Sequence, residues 1–151
     1  MAALQFYVNI PSIQLTASTA TVVGFVSAPT NQRVKVLGYG MYFDGTTNSN
    51  QPVEIKLVTP TTGTFVSGSN AQLQEPELTE TIQSTYGTSC VTQPTLSASN
   101  TYKTLTVHPQ LGYEYLAPLG QEKIIAGGKT FAVSCNAPNQ VDVRGYLLVE
   151  E

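Results

Sequence analysis

Residues 33–44 read RVKVLGYGMYFD, and their reading decides the fold class. Alternation runs through them at period two, the side-chain spacing of a β-strand. Val34, Val36 and Tyr42 fall on one face, while Leu37, Tyr39, Met41 and Phe43 fall on the other. A strand apolar on both faces needs cover on both, from a second sheet and from something else. Gly38 and Gly40 sit between, where a bulge or a close backbone approach is expected.

Working outward, the same period recurs. Leu4, Phe6, Val8 and Ile10 point one way and Gln5, Tyr7 and Asn9 the other, and Pro11 is expected to end that strand. TVVGFVSA (21–28) is a short apolar strand closed by Pro29. Val53, Ile55 and Leu57 alternate inward in VEIKLV (53–58), as do Leu105 and Val107 in TYKTLTV (101–107). A strand is expected at 122–126, with Gly127-Gly128 then forming a two-residue hairpin turn. In VDVRGYLLVE, Val141, Val143, Leu147 and Val149 face inward. Residues 59–100 lose the alternation and are expected to be a loop-rich insertion with short strands near 80–86 and 90–93. APTNQRVKVLGY (28–39) and APNQVDVRGY (137–146) echo each other, each a strand halted by proline, a turn and a return strand.

Composition agrees. Charged residues make up 11% of the 151, against roughly 25% in typical soluble domains. Polarity comes from Thr, Ser, Asn and Gln, and the nine prolines and twelve glycines suit many short strands joined by turns. The chain is expected to be one all-β domain over residues 1–151, an antiparallel β-sandwich with residues 1–15 as an N-terminal strand or arm.

The same totals argue against several functions. Seven scattered Lys and Arg in a chain of net charge −3 do not make a phosphate-binding surface, so no nucleic-acid partner is expected. No apolar run approaches the roughly 18 residues of a membrane span, so no membrane partner is expected either. The first fifteen residues lack a basic start followed by an apolar block, and production without export is expected.

Enzyme chemistry has little to draw on. The only histidine is His108, on the polar face of its strand with Thr104 and Thr106, and Pro109 follows at once. No Gly-x-Ser-x-Gly elbow or His-Glu-x-x-His pair supplies a catalytic partner, so no catalytic residue is expected. Residues 44–50, DGTTNSN, offer Asp44, Thr46 and Asn48 at calcium-loop spacing but carry Ser49 where the loop requires glycine. Glu75, Glu77 and Glu80 form a small acidic group whose ordinary reading is a solvated face. Cys135 shares a face with Phe131 and Val133, and both it and Cys90 are expected to be free thiols. No metal or other cofactor is expected. Eight tyrosines leave a carbohydrate-binding platform, on a phage tail or another surface structure, as the alternative function.

The C-terminal third, from TLTVHPQLGYEY to the terminal Glu150-Glu151, resembles a group of tailed-bacteriophage capsid decoration (cement) proteins. The similar features are the VHP strand end, the PLG turn, the GG pair, the CNAP strand end and the last strand; APTNQRVKVLGYGMYFDG resembles the matching earlier segment. The resemblance covers about half the chain. It implies a jelly-roll β-sandwich, no enzymatic activity, and a place on the virion exterior after synthesis in the host cytoplasm. It also implies the phage major capsid protein as partner and self-association, with a trimer expected because such proteins often sit at local three-fold axes. Leu4, Phe6, Val8 and Ile10, with Tyr39, Met41 and Phe43, are the candidate interface residues.

Overall fold

The structure, a computed structural model, describes residues 3–45, 51–75 and 79–151. Thirteen strands run along it and no helix occurs among the described residues. Nine of these strands and their mutual pairing make the frame. β1 (Gln5–Leu15) pairs β13 (Val141–Glu150), and β2 (Thr21–Ser27) pairs β12 (Thr130–Asn136). β3 (Val34–Phe43) pairs both β10 (Gly112–Leu116) and β11 (Lys123–Ile125), and β4 (Val53–Val58) pairs β9 (Thr101–Val107). Every pairing is antiparallel and the set is nested, first with last and inward from there. A long two-armed ribbon is thus rolled on itself, which is jelly-roll topology. Rolling adds the contacts β13–β3 and β12–β4, giving sheet A (β10-β3-β13-β1, with β11 also on β3) and sheet B (β2-β12-β4-β9).

The core lies between the sheets. Phe6, Val8, Met41, Val143, Leu147 and Val149 from sheet A meet Val23, Val26, Ile55, Leu57, Phe131 and Val133 from sheet B, all fully buried. Cys135 joins them as a free thiol, as the face it shares with Phe131 and Val133 requires.

Bulges set which side chains reach this core. On β3, Leu148 pairs Gly38 but Val149 pairs Val36, so Leu37 is an extra residue. One inserted residue flips the alternation. Val34 and Val36 therefore share the inward face with Tyr39, Met41 and Phe43, all buried. The strand is apolar on one face, not two. Pro11 does not end β1, because a second bulge between Ile10 and Ile13 absorbs it and Leu15 is fully buried beyond. Proline lacks the ladder donor, and a bulge removes the need for one.

The Gly127-Gly128 pair does make a tight turn, with Lys129 N–H donating to the Ala126 carbonyl at 3.0 Å and Gly128 at φ +73°. It is not a hairpin, because β11 belongs to sheet A and β12 to sheet B. The echo at 28–39 and 137–146 has the same character. Both segments leave neighbouring strands of sheet B (β2, β12) and enter neighbouring strands of sheet A (β3, β13), with Ala28 and Ala137 buried at the crossing.

Residues 59–100 join β4 to β9. They carry β5 (Thr64–Val66), β6 (Ala71–Leu73), β7 (Thr85–Gly87) and β8 (Ser89–Thr92). β6 extends sheet A beside β1 and β7 extends sheet B beside β2. Tyr86 packs on Phe6 with ring centroids 6.0 Å apart and closes that side of the sandwich. β5 and β8 pair as a separate ribbon on the outside of sheet B, where Phe65, Cys90 and Leu96 cover Val22, Phe25, Val58 and Ala132. Sheet B is thus the layer covered on both faces.

Candidate functional site

Six of the seven candidate interface residues are interior. Phe6, Val8, Ile10, Tyr39, Met41 and Phe43 are at most 5% exposed and pack between the sheets, and Tyr39 also lines a pocket at the edge of the sandwich. Alternation identified an apolar face, and in a two-layer fold that face is the core. Leu4 is partly exposed beside β1, with its backbone bonded in both directions to Glu151 at 3.0 and 2.9 Å.

The other sequence candidates separate in space. His108 stands at the end of β9, where its Nδ1 accepts the Gln110 N–H at 3.2 Å and its carbonyl accepts the Leu111 N–H at 3.0 Å. Those bonds shape a turn, and no carboxylate or nucleophile bonds to the ring among the described residues. Asp44 pairs Arg144 at 3.8 Å, while Thr46, Asn48 and Glu77 lie outside the described residues. Glu75 and Glu80 are exposed, and no three His, Cys, Asp or Glu side chains come together as a metal site among the described residues.

Two surfaces remain. The first is the outer face of sheet A. Gly38, Gly40 and Gly112 put bare backbone on it, and neighbouring side chains lie down in the space. A Cβ on Gly40 would stand 2.7 Å from the Tyr146 ring, and one on Gly112 would overlap the Tyr42 ring. Tyr7 meets Tyr146 edge-on at 5.6 Å. Both the Tyr42 and Tyr146 hydroxyls donate to Glu114, Tyr42 at 2.6 Å. These two bonds, Tyr146's first, hold the Glu114 carboxyl below its ordinary range. Burial and then Glu114 push the Tyr146 phenol well above its own. The ends of the face carry Lys35–Glu150 at 2.9 Å and Arg144–Asp44. Its charges are largely satisfied within the face, and its middle is aromatic.

The second surface is the side of the sandwich that residues 59–100 leave open. There β9 faces β10 and β11 across a small pocket of about 30 Å³, lined by Tyr39, Tyr102, Lys103, Tyr115, Gln121 and Lys123 among others. Tyr39 stacks obliquely on Tyr113 and Tyr115, at 6.1 and 5.5 Å. Its hydroxyl is buried and makes no hydrogen bond of ordinary geometry among the described residues, with the Tyr113 phenol as its polar neighbour. Burial, then the neighbouring phenols of Tyr113, Tyr115 and Tyr102, hold that hydroxyl well above the ordinary tyrosine range. Of this pocket the sequence singled out Tyr39 alone, as a candidate interface residue, because the lysines and other tyrosines come from separate strands. Gly38 and Gly40 did mark the first surface.

Comparison with protein-family models, with curated proteins and with solved structures finds no match to this chain.

Proposed function

We propose that this chain is a non-enzymatic virion protein that binds and stabilises the exterior of a phage capsid. The observation that carries the reading is the outer face of sheet A. Protein interfaces favour tyrosine and exclude unpaired charge from their centres. Here Tyr7, Tyr42 and Tyr146 lie at the middle, and Glu114 is already bonded to two phenols. Such a face makes wet, hydrogen-bonded contacts with little ion desolvation. The resemblance in the C-terminal third and the jelly-roll topology support the same reading.

The mechanism is mass action. A protein that binds assembled capsomers and not free subunits stabilises the assembled state, and symmetry repeats each weak contact. The major capsid protein is the partner in this reading, and self-association as a trimer belongs to it. The test is the number of copies per purified virion, by quantitative mass spectrometry against the major capsid protein. Hundreds of copies support decoration of the shell. A handful would move the protein to a vertex or the tail, and none would end the virion reading.

A further inference from the structure

The open side of the sandwich carries two lysines that are held in place but not neutralised. Lys103 Nζ stands 4.7 Å from the centroid of the Tyr115 ring, and Lys123 Nζ stands 4.5 Å from that of Tyr102. Neither forms an ion pair among the described residues, although the chain has ten Asp and Glu. Lys103 comes from β9 and Lys123 from β11, so each sheet contributes one cation to the same pocket. Ring faces attract ammonium groups without supplying a counter-ion. They restrict where each lysine rests and leave its charge available.

The Tyr39 hydroxyl is an independent observation at the same place. The residue lines the pocket and is 3% exposed, and its hydroxyl, beside the Tyr113 phenol, makes no hydrogen bond of ordinary geometry among the described residues. A buried phenol without an acceptor is a donor waiting for one. Two ammonium groups and one free O–H donor specify an anion that accepts hydrogen bonds. The pocket's small volume admits one compact anionic group, and the rings of Tyr102 and Tyr115 at its rim offer apolar surface to an organic body that carries it.

We propose that this pocket binds a carboxylate group, with Lys103 and Lys123 supplying the charge and the Tyr39 hydroxyl donating to one oxygen. The proposal is independent of the capsid reading, since the outer face of sheet A takes no part in it. The carboxylate comes either from a free acidic sugar or from an Asp or Glu side chain of another protein, and the chemistry of capture is the same.

The test is a titration of the isotope-labelled full chain, followed by NMR at its lysine and tyrosine side chains. The probes are glucuronate and N-acetylglutamate amide, with glucose and N-acetylglutamine amide as neutral counterparts. Both acids are expected to give saturable shifts, and the neutral compounds to bind about tenfold more weakly or worse. Lys103→Met and Lys123→Met are each expected to weaken the acids about tenfold. Tyr39→Phe removes a donor that makes no hydrogen bond of ordinary geometry among the described residues. It is therefore expected to weaken binding severalfold while leaving the melting temperature unchanged or higher. Tighter binding of glucuronate identifies a sugar acid as the source, and tighter binding of the glutamate derivative identifies a protein side chain. Equal binding of both supports the carboxylate site itself. Neutral probes binding as well as the acids, shifts that persist in the double lysine variant, or no shift at tens of millimolar probe would overturn the proposal.

Discussion

The Glu151 carboxylate holds Ser84. One oxygen accepts the Ser84 N–H at 2.9 Å and its hydroxyl as well, while the other accepts the Gln83 N–H at 2.7 Å. Ser84 is buried, so these bonds satisfy polar groups that water cannot reach. The residue after β13 thereby pins the 59–100 excursion just before β7 joins sheet B.

Glu151→Ala is therefore expected to destabilise the chain by about 2 kcal/mol, the cost of leaving a buried donor unpaired. Amide exchange at Gln83 and Ser84 should accelerate while β13 and β3 stay protected. Glu151→Gln, which keeps an acceptor, should lose less. Unchanged exchange at both amides would mean that β7 alone anchors the segment.

β1 is not an arm. It lies between β13 and β6, with Phe6 and Val8 fully buried. Phe6→Ala is expected to cost about 3–5 kcal/mol, and deletion of residues 1–10 to abolish the cooperative melt. Circular dichroism on both variants decides it. A truncated chain that still melts cooperatively would restore the arm.

How far the sequence could be read follows from what alternation encodes. Period two placed Phe6, Val8, Ile55, Val107, Val143 and Leu147 correctly, because each lies in an unbroken stretch of ladder. It failed at Leu37 and at Pro11, where one extra residue reverses the phase and the surrounding letters look unchanged. Partner choice is not local either. The tight turn at Gly127-Gly128 was legible, but the sheets on either side of it were not, since a β-turn and a crossing between layers use the same glycines. β5 through β8 are pieces of three or four residues, too short to show a period. Of the two surfaces, the glycine-floored one left a local trace and the other only Tyr39. The lysine pocket exists because strands distant in sequence meet across an open edge.

Glycine substitutions separate crowding from conformation. A Cβ on Gly145 would fall 1.9 Å from the Gly40 carbonyl oxygen, backbone that cannot yield. Gly145→Ala is expected to cost about 3 kcal/mol or more, or to prevent folding. Gly120 has open space around it but sits at φ +83° in the turn after Pro118. Gly120→Ala should cost only about 1 kcal/mol. Denaturant melts rank the two, and the reverse order would mean that β3 and β13 are not in this register.

The cysteines should differ in reactivity. Burial pushes the Cys135 thiol up to about 12 and the partly covered Cys90 thiol up to about 11. Thiolate is the reactive form, so both should alkylate slowly at pH 8 and Cys135 only through global unfolding. Mass spectrometry of iodoacetamide-treated protein should find Cys90 modified first. Equal rates would mean that sheet B opens as a unit.

Acid should act on the chain through the outer face of sheet A. Lys35 Nζ and Gln5 Nε2 each donate to Glu150 at 2.9 Å, and the Lys35 bond first, then Gln5, holds the Glu150 carboxyl below its ordinary 4.5. A carboxyl with a depressed folded value stabilises the chain fully above its unfolded value, and loses that contribution as pH falls through the folded one. Glu114 follows the same rule through its two phenols. Glu150→Gln is therefore expected to melt roughly 1–2 °C below the parent chain at pH 7, as an exposed pair allows. That gap should narrow as pH falls below 4.5 and close once the folded-state carboxyl is protonated. Because Lys35 is raised above 10.5 by the same bond, the gap should also close at strongly alkaline pH, as the lysine loses its proton. Melting temperatures of both chains from pH 2.5 to 11.5 test each limb. A gap independent of pH would mean that Glu150 contributes through its packing and not through its charge.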